Sequence, residues 1–419
     1  MVPVSSDRSE ACDDPVVTDL APTTFRRDGY TLTHYSVLVV WGWFIYSFSP
    51  SVPLLAEDLG VSKAVAGLHG TAMAVGAVTA ALLLPRLLRA LGPQRLLVVS
   101  LALVAVGVTG FVLGPGIAAT LPSLAVVALG GNLALSVAQL NLSRRHGASA
   151  PAVITEANGA GSGIGLVGPL AVGLAVGIGW GWRAAVAVTI LLAVTVAVAI
   201  SRLPREGADA TDAVPAAAPE PDAVAPSPAR RGLAPGSRGL LVALVAAMAL
   251  ENATTYWSTS LVIERTGADA SIATSTTAGL LVGMTTIRFA GTVLTRRAGA
   301  DRVLAVSFLV AILGWAVLWT AQTPGVAVAG LVVAGLGYGA QYPLSIALLL
   351  GIAREGADRA QAVATFVAGA TVGLAPFLLG AAADAVGTHT AFVAIPVLAL
   401  LGAVGAFLGS RTARAHNLL

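Results

Sequence analysis

Apolar runs of roughly twenty residues recur along this chain, each cut by Arg, Pro, Gly or a short polar cluster, and that recurrence fixes the class of fold. A helix rises 1.5 Å per residue, so about twenty residues cross the roughly 30 Å of hydrocarbon in a bilayer. Twelve runs are read, at 35–56, 65–85, 95–114, 119–143, 156–178, 182–201, 239–261, 272–294, 302–321, 325–351, 360–383 and 388–409. Only 11% of the residues are charged and 56% are hydrophobic, with mean hydropathy +0.84. A water-soluble chain is about a quarter charged, and no soluble fold hides that much apolar surface. Spanning strands are excluded, because runs such as 96–112 are apolar throughout where barrel strands alternate. The expectation is an all-α membrane protein with twelve transmembrane helices.

The position of the basic residues says more than the net charge of +3. With the N-terminus inside, twenty Arg residues fall in the tails and even-side loops, from Arg8 to Arg414, against Lys63, Arg183 and Arg265 opposite. The positive-inside rule then predicts an inner-membrane, multi-pass protein with both termini in the cytoplasm. Residues 1–34 are polar and lack the apolar core of a cleavable signal, so they are expected to be a cytoplasmic tail, as are 411–419. Cys12 is the single cysteine, so disulfides are expected to play no part. Residues 202–238 are rich in Pro, Ala and charge and read as a disordered linker between bundles at 35–201 and 239–410.

The bundles look duplicated. A shift of 207 residues places Gly76 on Gly283, Arg89 on Arg296, Gly92 on Gly299, Arg95 on Arg302, Gly107 on Gly314, Pro169 on Pro376 and Gly173 on Gly380. This predicts two six-helix, pseudo-symmetric halves with a site between them near the bilayer midplane.

Within those repeats, the loops LPRLLRALGPQRLL and LTRRAGADRVL resemble the Gly- and Arg-rich loop of the major facilitator superfamily. The first copy has Pro85 and Arg86 near the place of the usual acidic residue. The stretches 283–297, 335–352 and 372–387 are most similar to the fucose permease group of sugar symporters, and ENATTYW (251–257) resembles span seven of many relatives. That group carries a carboxylate in span one and another in span four, whereas WGWFIYSFSPSVP and GGNLALSVAQLN hold none. The resemblance implies the major facilitator fold, with spans one, four, seven and ten lining the cavity.

An ionised side chain at the bilayer centre costs about 2.5–3.5 kcal/mol, so a charge inside a span is a functional candidate. Glu251 in span seven and Arg288 in span eight qualify, at depths about 8 Å apart by helical rise. They are read either as a proton-coupling pair or as a static salt bridge. Polar and aromatic residues on the cavity spans are the candidate substrate contacts: Trp43, Tyr46, Asn132, Gln139, Asn252, Tyr256, Trp257, Tyr338, Gln341 and Tyr342. Gating candidates are Arg89, Arg95, Glu156, Pro169, Arg296, Arg302 and Pro376. Glu156 also reads as a carboxylate facing the positive end of a helix dipole. His69 reads as a pH sensor or an inert interfacial residue, and Asp384 is expected to face water. The run GAGSGIGLVGPLAVG (159–173) partly resembles the Gly-Pro motif of proton-driven drug exporters, with Ile164 where that motif has Gly.

The function expected from this pattern is secondary active transport of a small organic solute by alternating access, proton-coupled, as sugar-like symport or alternatively as drug or metabolite export. No G-x-x-x-x-G-K-[ST] loop argues for ATP drive. Five histidines, one tail cysteine and no close carboxylate pair inside the spans argue against a membrane enzyme, and nothing supplies a sensor's output domain. No cofactor, metal or nucleic-acid partner is expected; the partners are the solute, protons and the lipid bilayer, and a monomer is expected.

Overall fold

The computed structural model describes residues 27–204, 233–353 and 356–416. Most of the expected N-terminal tail with Cys12, most of the linker, and 417–419 lie outside the described residues. In hydrocarbon every backbone N–H and C=O must find a partner within the chain, which a helix provides by itself. In the first half, α1 (Gly29–Phe48) passes through a 3-10 turn (Ser49–Ser51) into α2 (Val52–Leu59). Pro50 and Pro53 withhold donors that an unbroken helix would need. α3 (Lys63–Leu113), α4 (Ile117–His146), α5 (Ala150–Gly165), α6 (Val167–Gly177) and α7 (Trp182–Arg202) complete it. The second half comprises α8 (Ser237–Thr266), α9 (Ala270–Ala298), α10 (Ala300–Thr320), α11 (Pro324–Ala353), α12 (Ala357–Val386), α13 (Thr388–Ala391) and α14 (Ala394–Ala415).

Among the described residues, eleven stretches are long and apolar enough to cross a membrane. One is the 51-residue α3, about 76 Å long at 1.5 Å per residue and too long for one crossing. It reverses at Gly92, with φ +72° and ψ 164°, immediately before Pro93, and so holds the second and third spans. The described residues therefore hold twelve spans. Gly299, 207 residues on, takes φ +84° and ψ 143° between α9 and α10. Both copies of the repeated loop turn on a glycine in a conformation that side chains rarely adopt.

Within each half the helices approach closely on small residues. A Cβ at Gly42 would sit 2.1 Å from the Gly161 carbonyl oxygen, and one at Gly283 2.1 Å from that of Val332. Apolar side chains gain little from association in lipid, so backbone proximity and dispersion hold the bundle.

The halves meet unevenly. Twelve crossings put the first and last described helix ends on one face, here the terminal face, and Lys63, Gly177, Ala270 and Val386 near the far face. On the far side the first arm of α3 packs on α12: Cβ atoms at Gly67 and Gly380 would meet backbone of Pro376–Phe377 and Lys63 at 2.8 and 2.6 Å. Thr71 donates to the Gly373 carbonyl at 2.6 Å. α6 meets α9 there through Gly173 and Ser275, and Phe48 packs edge-on to Tyr256 at 5.8 Å. Towards the terminal face the same helical stripes separate, leaving Leu82 and Phe366 70% and 77% exposed. The result is a cleft between the halves, closed at the far face and open at the terminal face.

Candidate functional site

Three side chains from three helices converge at this cleft. Glu251 lies in the middle of α8 and is half-buried. Arg288 of α9 lies on the helical stripe that Met284 and Leu281 occupy one and two turns earlier, and it is exposed. Tyr46 of α1 belongs to the other half; its phenol neighbours the Arg288 guanidinium and lies within electrostatic reach of Glu251. Beside them Tyr338 and Thr254 share a hydrogen bond of 3.0 Å between α11 and α8. Tyr342, one turn along α11 from Tyr338, is exposed on the cleft side.

Of the two sequence readings of the charged pair, the direct salt bridge is not what the structure contains. Among the described residues no ion pair joins Glu251 to Arg288. Their interaction is electrostatic, and the Arg288 guanidinium engages the Tyr46 phenol instead. Glu251 and Arg288 are thus coupled without forming an ion pair.

The remaining candidate contacts divide by environment. Asn132 and Asn252 are half-buried, with amides donating to carbonyls four residues back at 2.8 Å, and Gln139 is half-buried as well. Tyr256 is buried at the far closure, its hydroxyl 3.7 Å from the Met73 sulfur. Three candidates turn away from the cleft. The Trp43 indole donates to the Ala185 carbonyl at 3.0 Å inside the first half, and that of Trp257 to the Pro376 carbonyl at 2.8 Å inside the second. Gln341, fully buried, donates to the Ser307 carbonyl at 3.3 Å against α10. Helices that are apolar all round carry no sequence signal of which face meets a neighbour, and these orientations depend on neighbours distant in the chain.

Several single-residue expectations change. Asp384 does not simply face water: its carboxylate accepts from the backbone N–H groups of Lys63 and Ala64 at 2.9 and 2.8 Å. Ser62 accepts from Val65 at 3.3 Å, so the first three N–H groups of α3 all have acceptors, two of them from the opposite half. His69 is neither a sensor at a water interface nor interfacial: it is fully buried, between the Ala66 carbonyl at 2.8 Å and the Thr120 hydroxyl at 3.0 Å. Glu156 sits in the second turn of α5 and pairs with Arg27 at 2.6 Å within the first half, so the helix-dipole reading fails. Arg89, Arg95, Arg296 and Arg302 are exposed, and none forms an ion pair among the described residues. Pro169 lacks the donor that the Gly165 carbonyl would take, and α5 gives way to α6 at that residue. The glycines of 159–173 serve packing: Cβ atoms at Gly165 and Gly168 would meet Tyr46 at 2.1 and 2.8 Å.

Sequence reading missed Asp28. It caps α1 through Thr31 at 2.9 Å and pairs with Arg145 at 2.5 Å, and the Thr31 and Arg145 hydrogen bonds hold its carboxyl below the usual carboxylate range. An N-cap residue ahead of a Tyr-rich apolar run was the available signal.

Compared with known proteins, the family model described as Major Facilitator Superfamily matches residues 35–300 and 239–418. In fold the chain is similar to the nucleoside transporter NupG, with TM-score 0.71, 12% identity, and 92% of this chain and 98% of that chain covered. It is similar to a D-xylose-proton symporter at TM-score 0.70, 16% identity, and 92% and 97% coverage. A bacterial homologue of the human lysosomal transporter Spinster, in an inward-facing and occupied conformation, gives TM-score 0.68, 15% identity, and 92% and 96% coverage. No curated protein matches the chain. These likenesses lend no support to the narrower fucose permease grouping. Two six-helix halves turning on the same duplicated glycines, a cleft between them, and a family match over nearly the whole chain lead to one conclusion: the chain belongs to the Major Facilitator Superfamily and is a secondary active transporter of small solutes, not an enzyme.

Proposed function

We propose that this transporter takes up a polar, sugar-like solute together with a proton, with Glu251 as the proton carrier and Arg288 and Tyr46 as its immediate partners. The observation that carries this reading is the cleft itself. It holds a half-buried carboxylate at the middle of α8, near but not ion-paired with an exposed guanidinium. Moving that carboxylate through an occluded state while charged and unsolvated is costly, so passage favours the protonated or ligand-compensated form. The basic residues crowd the terminal face, and this asymmetry supports reading that face and both termini as cytoplasmic in an inner membrane, with the cleft inward-open. The polar lining supplied by Tyr46, Asn252 and Tyr342 suits hydroxyl-bearing solutes.

A thermal-shift screen of the purified protein at two pH values identifies a binder, since a ligand of the native state raises its melting temperature by mass action. With that solute, Glu251→Gln in proteoliposomes is expected to abolish accumulation driven by an imposed pH gradient while leaving solute exchange intact. A folded Glu251→Gln protein with unchanged pH-dependent uptake would sink the proposal.

A further inference from the structure

The cleft carries two charges of different chemical standing. Glu251 is a carboxylate that a proton can neutralise, whereas Arg288 carries a guanidinium, a fixed positive charge in proteins. With Glu251 ionised the pair sums to zero. A monoanion entering this space leaves one uncompensated negative charge, which protonation of Glu251 cancels. A monocation leaves one uncompensated positive charge that no group in the cleft can cancel by titrating. The groups that face Glu251 are few: Arg288 from α9, Tyr46 from α1 and Tyr338 from α11. The carboxylates of the helices packed on α8 lie elsewhere, with Asp384 at the far end of α12 and holding α3.

The donors point the same way. Arg288 is exposed and its guanidinium meets the Tyr46 phenol, but among the described residues no carboxylate pairs with its planar fork of N–H groups. That fork matches a carboxylate in a two-pronged geometry that no hydroxyl reproduces. Neighbouring phenol groups add hydroxyl partners without adding charge.

We infer that the solute is a small organic acid, bearing hydroxyl groups and one carboxylate that seats on Arg288, and that Glu251 takes up one proton as the acid binds. This rests on the proton-coupled reading above and narrows it from sugar-like solutes to their acids and smaller hydroxy acids. Cationic amphipaths are the class the cleft excludes.

The test uses full-length protein in nanodiscs and matched pairs of probes, glucuronate with glucose and lactate with glycerol. Calorimetry at one pH in two buffers of different ionisation enthalpy gives both affinity and protons taken up. In at least one pair the acid is expected to bind about tenfold or more tighter than its neutral partner, the range in which a hydrogen bond to a charged group counts. About one proton is expected to be taken up per acid bound. Arg288→Gln should erase that preference, and Arg288→Lys, which keeps the charge and serves as the control for folding, should retain part of it. Glu251→Gln should still bind the acid but take up no proton. The inference is overturned if no acid binds, if the neutral partners bind as tightly, or if the preference survives Arg288→Gln. Neutral sugars binding with a proton uptake that Glu251→Gln removes would overturn the acid site and leave the proton-coupled reading standing. Arg288-dependent acid binding without proton uptake would support the acid site and overturn the coupling.

Discussion

Gly67→Leu is expected to cut transport severely while leaving a folded protein. A Cβ at Gly67 would stand 2.8 Å from both the Pro376 carbonyl oxygen and the Phe377 Cα, which are backbone atoms of the other half. A leucine there cannot be relieved by rotating a side chain, and overpacking of this kind costs roughly 1–3 kcal/mol or more. The clash exists only while the far face is closed, so the protein escapes it by opening that face. Uptake is then expected to fall about tenfold to a hundredfold, the loss that such a cost implies for the closed state, with a melting temperature near wild type. Gly283→Leu is the contrast. Its Cβ would sit 2.1 Å from the Val332 carbonyl oxygen, between α9 and α11 of the same half, and no rocking of the halves relieves that contact. It should therefore lower the melting temperature and the yield. Equal loss of fold in both variants would contradict the separation of packing contacts from gating contacts.

Asp384→Ala is expected to act on the same equilibrium with a smaller effect. The carboxylate closes the far face by accepting two backbone N–H groups at the start of α3, and removing an N-terminal cap costs about 0.5–2 kcal/mol. Because the cap and the helix belong to different halves, that cost falls on the closed far face rather than on the fold. The open population should rise roughly two- to thirtyfold. Cys12 is the sole cysteine, so a Cys12→Ser background with Ala74→Cys reports opening as the rate of labelling by an impermeant maleimide from the far side. A rate unmoved by Asp384→Ala would mean that the carboxylate is no latch.

The twelve crossings and the duplication were legible because they rest on one-dimensional signals. Apolar length marks a span, and Gly92 and Gly299 mark the same turn in both copies of the repeat. Glu251 and Arg288 were legible because charge is expensive in a bilayer. What escaped was orientation. Trp43, Trp257 and Gln341 share residue types with cavity linings, yet each spends its donor on a carbonyl inside its own half. Asp384 and His69 escaped for a related reason. The partner of the first lies 320 residues away in sequence and that of the second 51 residues away, so nothing local announces either contact.

The central claim is that two rigid halves rock about the site containing Glu251, closing one face as the other opens. Distances between paired spin labels test it most directly. One pair spans the far face, at Glu57 and Gln322, and the other the terminal face, at Arg86 and Arg297; all four residues are exposed. Gly67→Leu is expected to lengthen the first distance and shorten the second together. A far face that opens while the terminal distance stays fixed, or two distances that vary independently, would contradict alternating access in this protein.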